Sequence, residues 1–433
     1  MTGWLAGSAA APFPIPTGTP LGGYMARTSG ATSTLDPLQI GALHLETHGR
    51  SLTIVTADVI GVDRELRDRI ATASGLDPAT IILCASHTHS GPQGIVHRLH
   101  PIEPDAEDGT LRNRFVAIAA GCVRQARARL EPVFLSIATA SAAGSWTNRN
   151  APEGPADRRL RLLATQRGDG AIQTIIAHTP CHPTVLGAES SAVSADLSGG
   201  IRRAISAFPE MAGVTILSLT GSAGDISTRY VRQAATPAEI DRLAANAVRN
   251  LREALRSAHG IAATESSLQR RTVSIALPTF REDLSADPHA EMVAAREAMV
   301  AAQGNATPPA LRQAITRYQG ALLRWQMAGS GDTGETKPIP ATLVPLDDAT
   351  ALAALPVELF TSLRATIEGA SPFAETVIVG YANGYAGYVA DAAAWDAGTY
   401  EALASPFARR AGDVLAEGVI EALRGLRGGS GRA

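Results

Sequence analysis

The segment Ala85-Ser86-His87-Thr88-His89-Ser90-Gly91-Pro92 sets two imidazoles two residues apart, directly after an apolar run from Ile81 to Ala85. Residues i and i+2 of a strand point the same way, so both rings can enter one pocket at a strand's end. Neutral imidazole suits Zn²⁺, yet the bare pattern fits a pair of hydrogen-bonded polar histidines equally well. His178 and His182 lie in a comparable place, and Pro180 and Pro183 argue against their pairing on a helix. Either could join His87, although spacing alone favours a loop histidine satisfied by backbone. The small-residue stretch from Thr220 to Ser227 follows another apolar run. Its amides could approach an oxyanion or simply form a glycine turn. Four of the seven tyrosines, Tyr381, Tyr385, Tyr388 and Tyr400, gather near Asn383, Gly384 and Gly387, as a loop-borne site or an aromatic cluster. Glu358, after Pro356, opens a helical stretch, where the helix dipole favours an acid. Neither G-x-S-x-G nor H-E-x-x-H occurs, which disfavours an elbow-type serine hydrolase and the helical zinc-protease pattern.

Such side chains need elements to carry them, and over its first 280 residues or so the chain alternates strand and helix patterns. The pattern predicts strands over about 41–46, 52–60, 80–85, 133–140, 160–165, 172–178 and 214–219. It predicts helices over about 62–74, 110–130, 197–208 and 237–259. This alternation implies an α/β, or mixed α+β, core whose strands end in functional loops. Residues 1–16 read as the entry to the fold. Helical stretches at about 288–302 and 309–327 predict a hairpin inserted at 285–335, as a lid over a pocket or a surface feature. A small-residue loop at 329–335 follows, then strand patterns near 342–344 and 376–381 and a last helix at about 406–426. One large domain over 1–427 with a flexible tail at 428–433 is expected, without internal repeats.

The composition, 45% hydrophobic and 18% charged with a formal net charge of -3, carries no basic stripe and no acidic tail. Nucleic acid is therefore not an expected partner, and a small molecule is. Basic charge comes almost wholly from arginine, Lys337 being the sole lysine. Cys84, Cys122 and Cys181 lack C-x-x-C spacing and read as buried free thiols. No run reaches the roughly 18 apolar residues of a membrane span, and no basic region precedes the N-terminal alanines. A cytoplasmic location is expected, with the periplasm as the alternative. Nothing in the sequence bears on oligomeric state.

Read together and in order, these segments resemble the neutral/alkaline (non-lysosomal) ceramidase family. The landmarks are Asp58 in Thr56-Ala57-Asp58-Val59-Ile60-Gly61, the His87 segment, Asn148-Arg149, His182-Pro183-Thr184 and Ser194-Ala195-Asp196. Gly224-Asp225-Ile226-Ser227, Leu355-Pro356-Val357-Glu358 and Asn383-Gly384-Tyr385-Ala386-Gly387-Tyr388 with Tyr400 complete the series, from about residue 15 to 405. The resemblance implies Zn²⁺ held by His87, His182, Glu358 and Tyr388, with no organic cofactor. It implies that His89, Arg149, Ser227 and Tyr400 line the reaction centre. Zinc would polarise a carbonyl and activate water, Arg149 and Tyr400 would stabilise the oxyanion, and His89 would carry a proton to the departing amine. Ser227 would orient the water or, alternatively, act as nucleophile.

Three departures shape the expectation. The chain matches a short form lacking the C-terminal immunoglobulin-like domain. Thr228-Arg229 follows Ser227 where the family often has Pro-Asn, so Arg229 could meet a substrate anion or sit in a surface salt bridge. Few aromatics and no basic amphipathic helix argue against membrane docking, and hence against ceramide itself. The expected activity is zinc-dependent hydrolysis of a linear amide, of the N-acyl amine or N-acyl amino acid type. The alternatives are a zinc-dependent ester or lactone hydrolase and a non-catalytic, metal-stabilised binding protein.

Overall fold

The N-terminal segment, expected only to lead into the fold, is the strand Trp4–Phe13, inside a nine-stranded sheet. Its small residues have a packing reason. A Cβ on Gly7 would lie 2.1 Å from the Ala126 carbonyl oxygen, so the bare backbone lets the helix Gly109–Ala128 settle against the sheet. A computed structural model describes residues 3–96, 108–284, 287–306, 308–329 and 335–429. The expected tail from residue 430 onward and the loop residues 330–334 lie outside the described residues.

The large sheet runs in the order Thr215–Thr220, Ile172–Thr179, Arg159–Gln166, Glu131–Ser141, Trp4–Phe13, Leu38–Thr47, Arg50–Ala57, Ile81–Ala85. His259–Ile261 pairs with Glu131–Ser141 off this path. One face carries Phe13, Ile40 and Val55, covered by Leu66, Phe115 and Val123 of the helices Arg64–Ser74 and Gly109–Ala128. Further along, Leu162 and Ile175 meet Ile201, Ile205 and Leu243 of the helices Asp196–Ser206 and Pro237–Ala247. The other face packs Leu43, Ile54, Ile82 and Ile176 against Val344, Leu352 and Val377 of a second, four-stranded sheet. That sheet orders Arg271–Pro278, Thr336–Pro345, Thr350–Ala354 and Glu375–Val379, and its outer face is covered by Leu363, Leu415 and Val419. The mixed α/β expectation thus resolves into four layers, helix, sheet, sheet, helix, each burying one apolar face of the next.

Two local expectations change. The helix predicted over 237–259 breaks after Ala247, resumes as Leu251–Arg256 and yields to a strand. Asn246 gives its amide to the Ala143 carbonyl and Ser145 hydroxyl, which ties the end of the first piece to the loop after Glu131–Ser141. The helical stretches expected over 288–302 and 309–327 are the helices Pro288–Asn305 and Pro308–Gly329. The last helix, Ala411–Gly429, extends past the expected start of the tail. No described helix is long and apolar enough to cross a membrane.

Three parallel pairings define the functional end of the molecule: Arg50–Ala57 with Ile81–Ala85, Ile172–Thr179 with Thr215–Thr220, and Thr350–Ala354 with Glu375–Val379. Their carboxyl ends release the loops bearing His87, His182, Ser227, Glu358 and Tyr388, as parallel sheets commonly do.

Candidate metal and active site

His87 and His89 reach one space through a turn, not through the strand alternation expected for i and i+2. The strand ends at Ala85, and His87 adopts φ 63°, a left-handed conformation uncommon outside glycine. The His87 amide donating to the Val59 carbonyl at 3.0 Å helps hold that conformation. Tyr381, at φ 54°, stacks on the His87 ring with centroids 4.2 Å apart. Unusual backbone conformations maintained by surrounding bonds are typical of functional sites.

Of His178 and His182, only His182 joins this group. His178 donates Nε2–H to the Ile378 carbonyl at 2.8 Å, away from it. His182 is fully buried and donates Nδ1–H to the Ala223 carbonyl at 2.6 Å; His87 does the same to the Ile60 carbonyl at 2.6 Å. Both tautomers are thereby set with the Nε2 lone pair facing inward, the outer-shell arrangement of metal-ligating histidines. The His182 Nε2 lies 2.9 Å from Glu358 Oε2, and the His87 Nε2 lies 3.3 Å from the same oxygen. The His182 Nε2 nonetheless has no aligned hydrogen-bond partner among the described residues. An orphaned buried nitrogen beside a carboxylate oxygen is what two donors aimed at a common cation look like. One donor atom from each of His87, His89 and His182 falls within 4.8 Å of the others, close enough to share one ion.

Glu358 corrects the helix expectation. It lies in a two-residue strand, Glu358–Leu359, paired in parallel with Tyr388–Val389 so that Glu358 stands opposite Tyr388; the helix begins only at Thr361. Its oxygens accept from the Tyr385 hydroxyl at 2.5 Å and the Tyr381 hydroxyl at 3.2 Å. These two phenols belong to the tyrosine cluster, but spacing gave no hint that they orient the carboxylate. Burial alone would raise the Glu358 pKa; His87 and His182 outweigh it and hold the carboxyl well below its usual range. Burial lowers His182 to about 4 and pushes His89 well below its ordinary value, helped by the neighbouring imidazoles.

His89 differs from its neighbours. Its Nε2 is 3.4 Å from the His87 Nε2, but its buried Nδ1 has no partner among the described residues. Arg149 is buried, places Nε 2.6 Å from Glu401 Oε1 and lies over the Tyr388 ring at 5.3 Å. Its Nη2 has no aligned acceptor among the described residues. Tyr400 packs edge-on to Tyr388, centroids 6.1 Å apart. Ser227 pairs antiparallel with Thr147, two residues before Arg149, and is buried. His87, His89, Arg149, Ser227, Glu358, Tyr388 and Tyr400 all line one cavity of about 720 Å³; His182 lies behind its wall. Thr316, Gln319 and Leu323 of the helix Pro308–Gly329 line the same cavity, so that helix is part of its wall.

The remaining landmarks hold loops. Asp58 takes a bidentate pair from buried Arg202 at 2.9 and 2.5 Å, and Asp196 accepts from the amides of Val185 and Leu186, just after His182. Gly224 carries a sharper constraint: a Cβ there would sit 2.7 Å from the Glu358 carbonyl and 2.9 Å from the Leu359 carbonyl. Gly224→Ala must move the strand that bears Glu358. It is expected to weaken metal binding by roughly tenfold or more, read by calorimetric zinc titration; unchanged affinity would remove this packing role. Cys84, Cys122 and Cys181 are buried free thiols, as expected.

Among solved structures, the chain aligns with a neutral ceramidase from Pseudomonas aeruginosa at a TM-score of 0.74 and 18% identity, covering 99% of this chain and 75% of that one. A ceramidase complexed with C2 aligns at 0.74 and 16% identity, covering 99% of this chain and 76% of that one. The fold is neutral-ceramidase-like. No family model and no curated protein matches the chain.

Proposed function

We propose that this chain is a zinc-dependent hydrolase of a linear amide bond. The observation that carries the reading is the convergence of the His87 and His182 Nε2 atoms on Glu358 Oε2, with both Nδ1–H groups tied to carbonyls. The fold's likeness to ceramidases, enzymes named for an amide substrate, supports the reaction class. His87, His182, Glu358 and Tyr388 would hold the ion, a nitrogen and oxygen set that suits zinc. Bound there, zinc supplies Lewis acidity and brings the pKa of a water to about 7.

The protein's own groups account for the rest. Buried Arg149, hydrogen-bonded to Tyr388, presents an Nη2 with no aligned acceptor among the described residues, a donor suited to the charge that develops on an attacked carbonyl oxygen. Tyr400, packed edge-on to Tyr388 at the cavity wall, would bring its hydroxyl as a second donor. His89, with Nδ1 not locked by a carbonyl, can exchange its proton, and its lowered pKa keeps it a neutral acceptor before it serves the leaving amine. Ser227 orients water at the cavity wall.

The test is metal analysis of purified protein, then an activity screen with amide and ester pairs sharing one acyl group. Near-stoichiometric zinc and amide cleavage that stops with chelator and returns with zinc is the expected result. Cleavage confined to esters or lactones would replace the amide reading. Bound zinc without cleavage of any acyl substrate would leave a binding protein.

A further inference from the structure

The cavity is charged in a way the reaction does not need. Among the described residues its wall carries Arg27, Arg149, Arg229, Arg232 and Lys337 against only Glu358 and Glu401. Glu401 is taken by Arg149 and by the Asn150 amide, and Glu358 faces the histidines. Arg27 spends its donors on four backbone carbonyls, and Arg232 donates to those of Thr184 and Val185. These two build loops while adding positive potential.

Arg229 is different. Its amide donates to the Ser227 hydroxyl at 3.2 Å, and its Nη1 donates to the Arg149 carbonyl at 3.0 Å. Among the described residues Nε and Nη2 meet no acceptor, and the side chain pairs with no carboxylate, so the surface salt bridge expected as one alternative is not formed. Burial, then the Arg149 charge, lowers its pKa, and the charge of Glu401, already paired with Arg149, offsets this only in part. The Nε and Nη2 edge of a guanidinium presents two parallel donors, which match a planar carboxylate.

We infer that the substrate carries a carboxylate a few bonds from the scissile amide and that Arg229 binds it. The proposal rests on the amide-hydrolase reading and sharpens it to the N-acyl amino acid class. Arg229 is bonded directly to Arg149 and Ser227, so the anion it binds sits close to the scissile bond, as the carboxylate of an N-acyl amino acid does. Leu21, Met25, Leu323 and Pro406 of the same cavity give the acyl chain its apolar wall. Water then adds across the C–N bond, releasing a carboxylic acid and an amino acid, with no other reactant.

Two probe pairs test this on the zinc-loaded protein. Hexanoylglycine and hexanoylglycinamide report cleavage. Their non-cleavable ketone isosteres, with a methylene replacing the scissile N–H, report binding by calorimetry. The acid isostere is expected to bind roughly 10- to 100-fold tighter than its carboxamide, the worth of a charge-assisted bidentate contact. That ratio should fall towards one in Arg229→Gln and lie between in Arg229→Lys. Equal binding of the two isosteres by the wild type overturns the proposal without any variant, and so does an undiminished ratio in a folded Arg229→Gln. A binding preference that vanishes in Arg229→Gln while neither glycine amide is cleaved upholds the carboxylate site and removes the hydrolase reading alone.

Discussion

Replacing His87 with alanine is expected to remove stoichiometric zinc and lower kcat/KM by at least ~10³-fold. The reason is geometric. The His87 Nε2 lies between the His89 Nε2 at 3.4 Å and Glu358 Oε2 at 3.3 Å, so its loss opens one side of the donor set. Because His87 sits at φ 63°, His87→Asn is the companion variant: asparagine tolerates that conformation, which separates loss of a ligand from backbone strain. Metal content by mass spectrometry and melting with and without chelator provide the readout. A site filled at ~100 times its Kd adds about 2.7 kcal/mol, so chelator should lower the wild-type melting point and leave both variants unmoved. Full zinc retention by His87→Ala would end its assignment as a ligand. The same assay sorts the fourth donor: Tyr388→Phe should lose zinc, whereas His89→Gln should keep it and lose about 10²–10⁴-fold in kcat.

Much of this centre could be read before the fold was known, and the parts that could not have physical reasons. His87 and His182 lie just past apolar runs long enough to read as strands. Glu358 was misplaced because a two-residue strand carries no period; its place depends on pairing with Tyr388, thirty positions away in sequence. Tyr381 and Tyr385 stood out only as enriched phenols, since a hydrogen bond to a distant carboxylate leaves no local pattern. Trp4–Phe13 was missed because its alanines and Gly7 answer to a helix packed close behind them, not to β propensity. Most of Thr336–Pro345 was missed because Pro338 and Pro340 argue against a strand; they lie where only the Arg271–Pro278 neighbour is paired, before Thr350–Ala354 joins at Thr342. The arginine-rich composition gave no hint that Arg161 would be buried between the two sheets.

That buried arginine leads to the other large effect. Asp157→Ala is expected to destabilise the fold by about 3 kcal/mol, the cost of removing the buried carboxylate that Arg159, Arg161 and Arg364 share. Asp157 accepts from Arg159 at 2.7 and 3.0 Å and from Arg161 at 3.1 Å. Arg161, 1% exposed in the large sheet, also reaches Glu368 at 2.7 Å and Glu375 at 2.7 Å. Glu368 lies on the helix that follows Glu358, and Glu375 opens a strand of the smaller sheet, so the network ties the two sheets together behind the site. Burial by itself would raise the Asp157 pKa, but hydrogen bonds from Arg159 and the charges of Arg161 and Arg364 hold it well below the carboxylate range. The sign of the pH effect follows. A carboxyl with a depressed folded pKa stabilises above its unfolded value of about 3.9 and loses that contribution as pH falls towards the folded value. Urea midpoints for the wild type should therefore drop on acidification below about pH 4, and Asp157→Asn, which cannot titrate, should drop less steeply over that window. Parallel acid profiles would show that Asp157 is not charged in the folded network. A double substitution, Asp157→Ala with Arg161→Met, should not recover the loss, because Arg161 still holds Glu368 and Glu375 and its removal costs those carboxylates their partner.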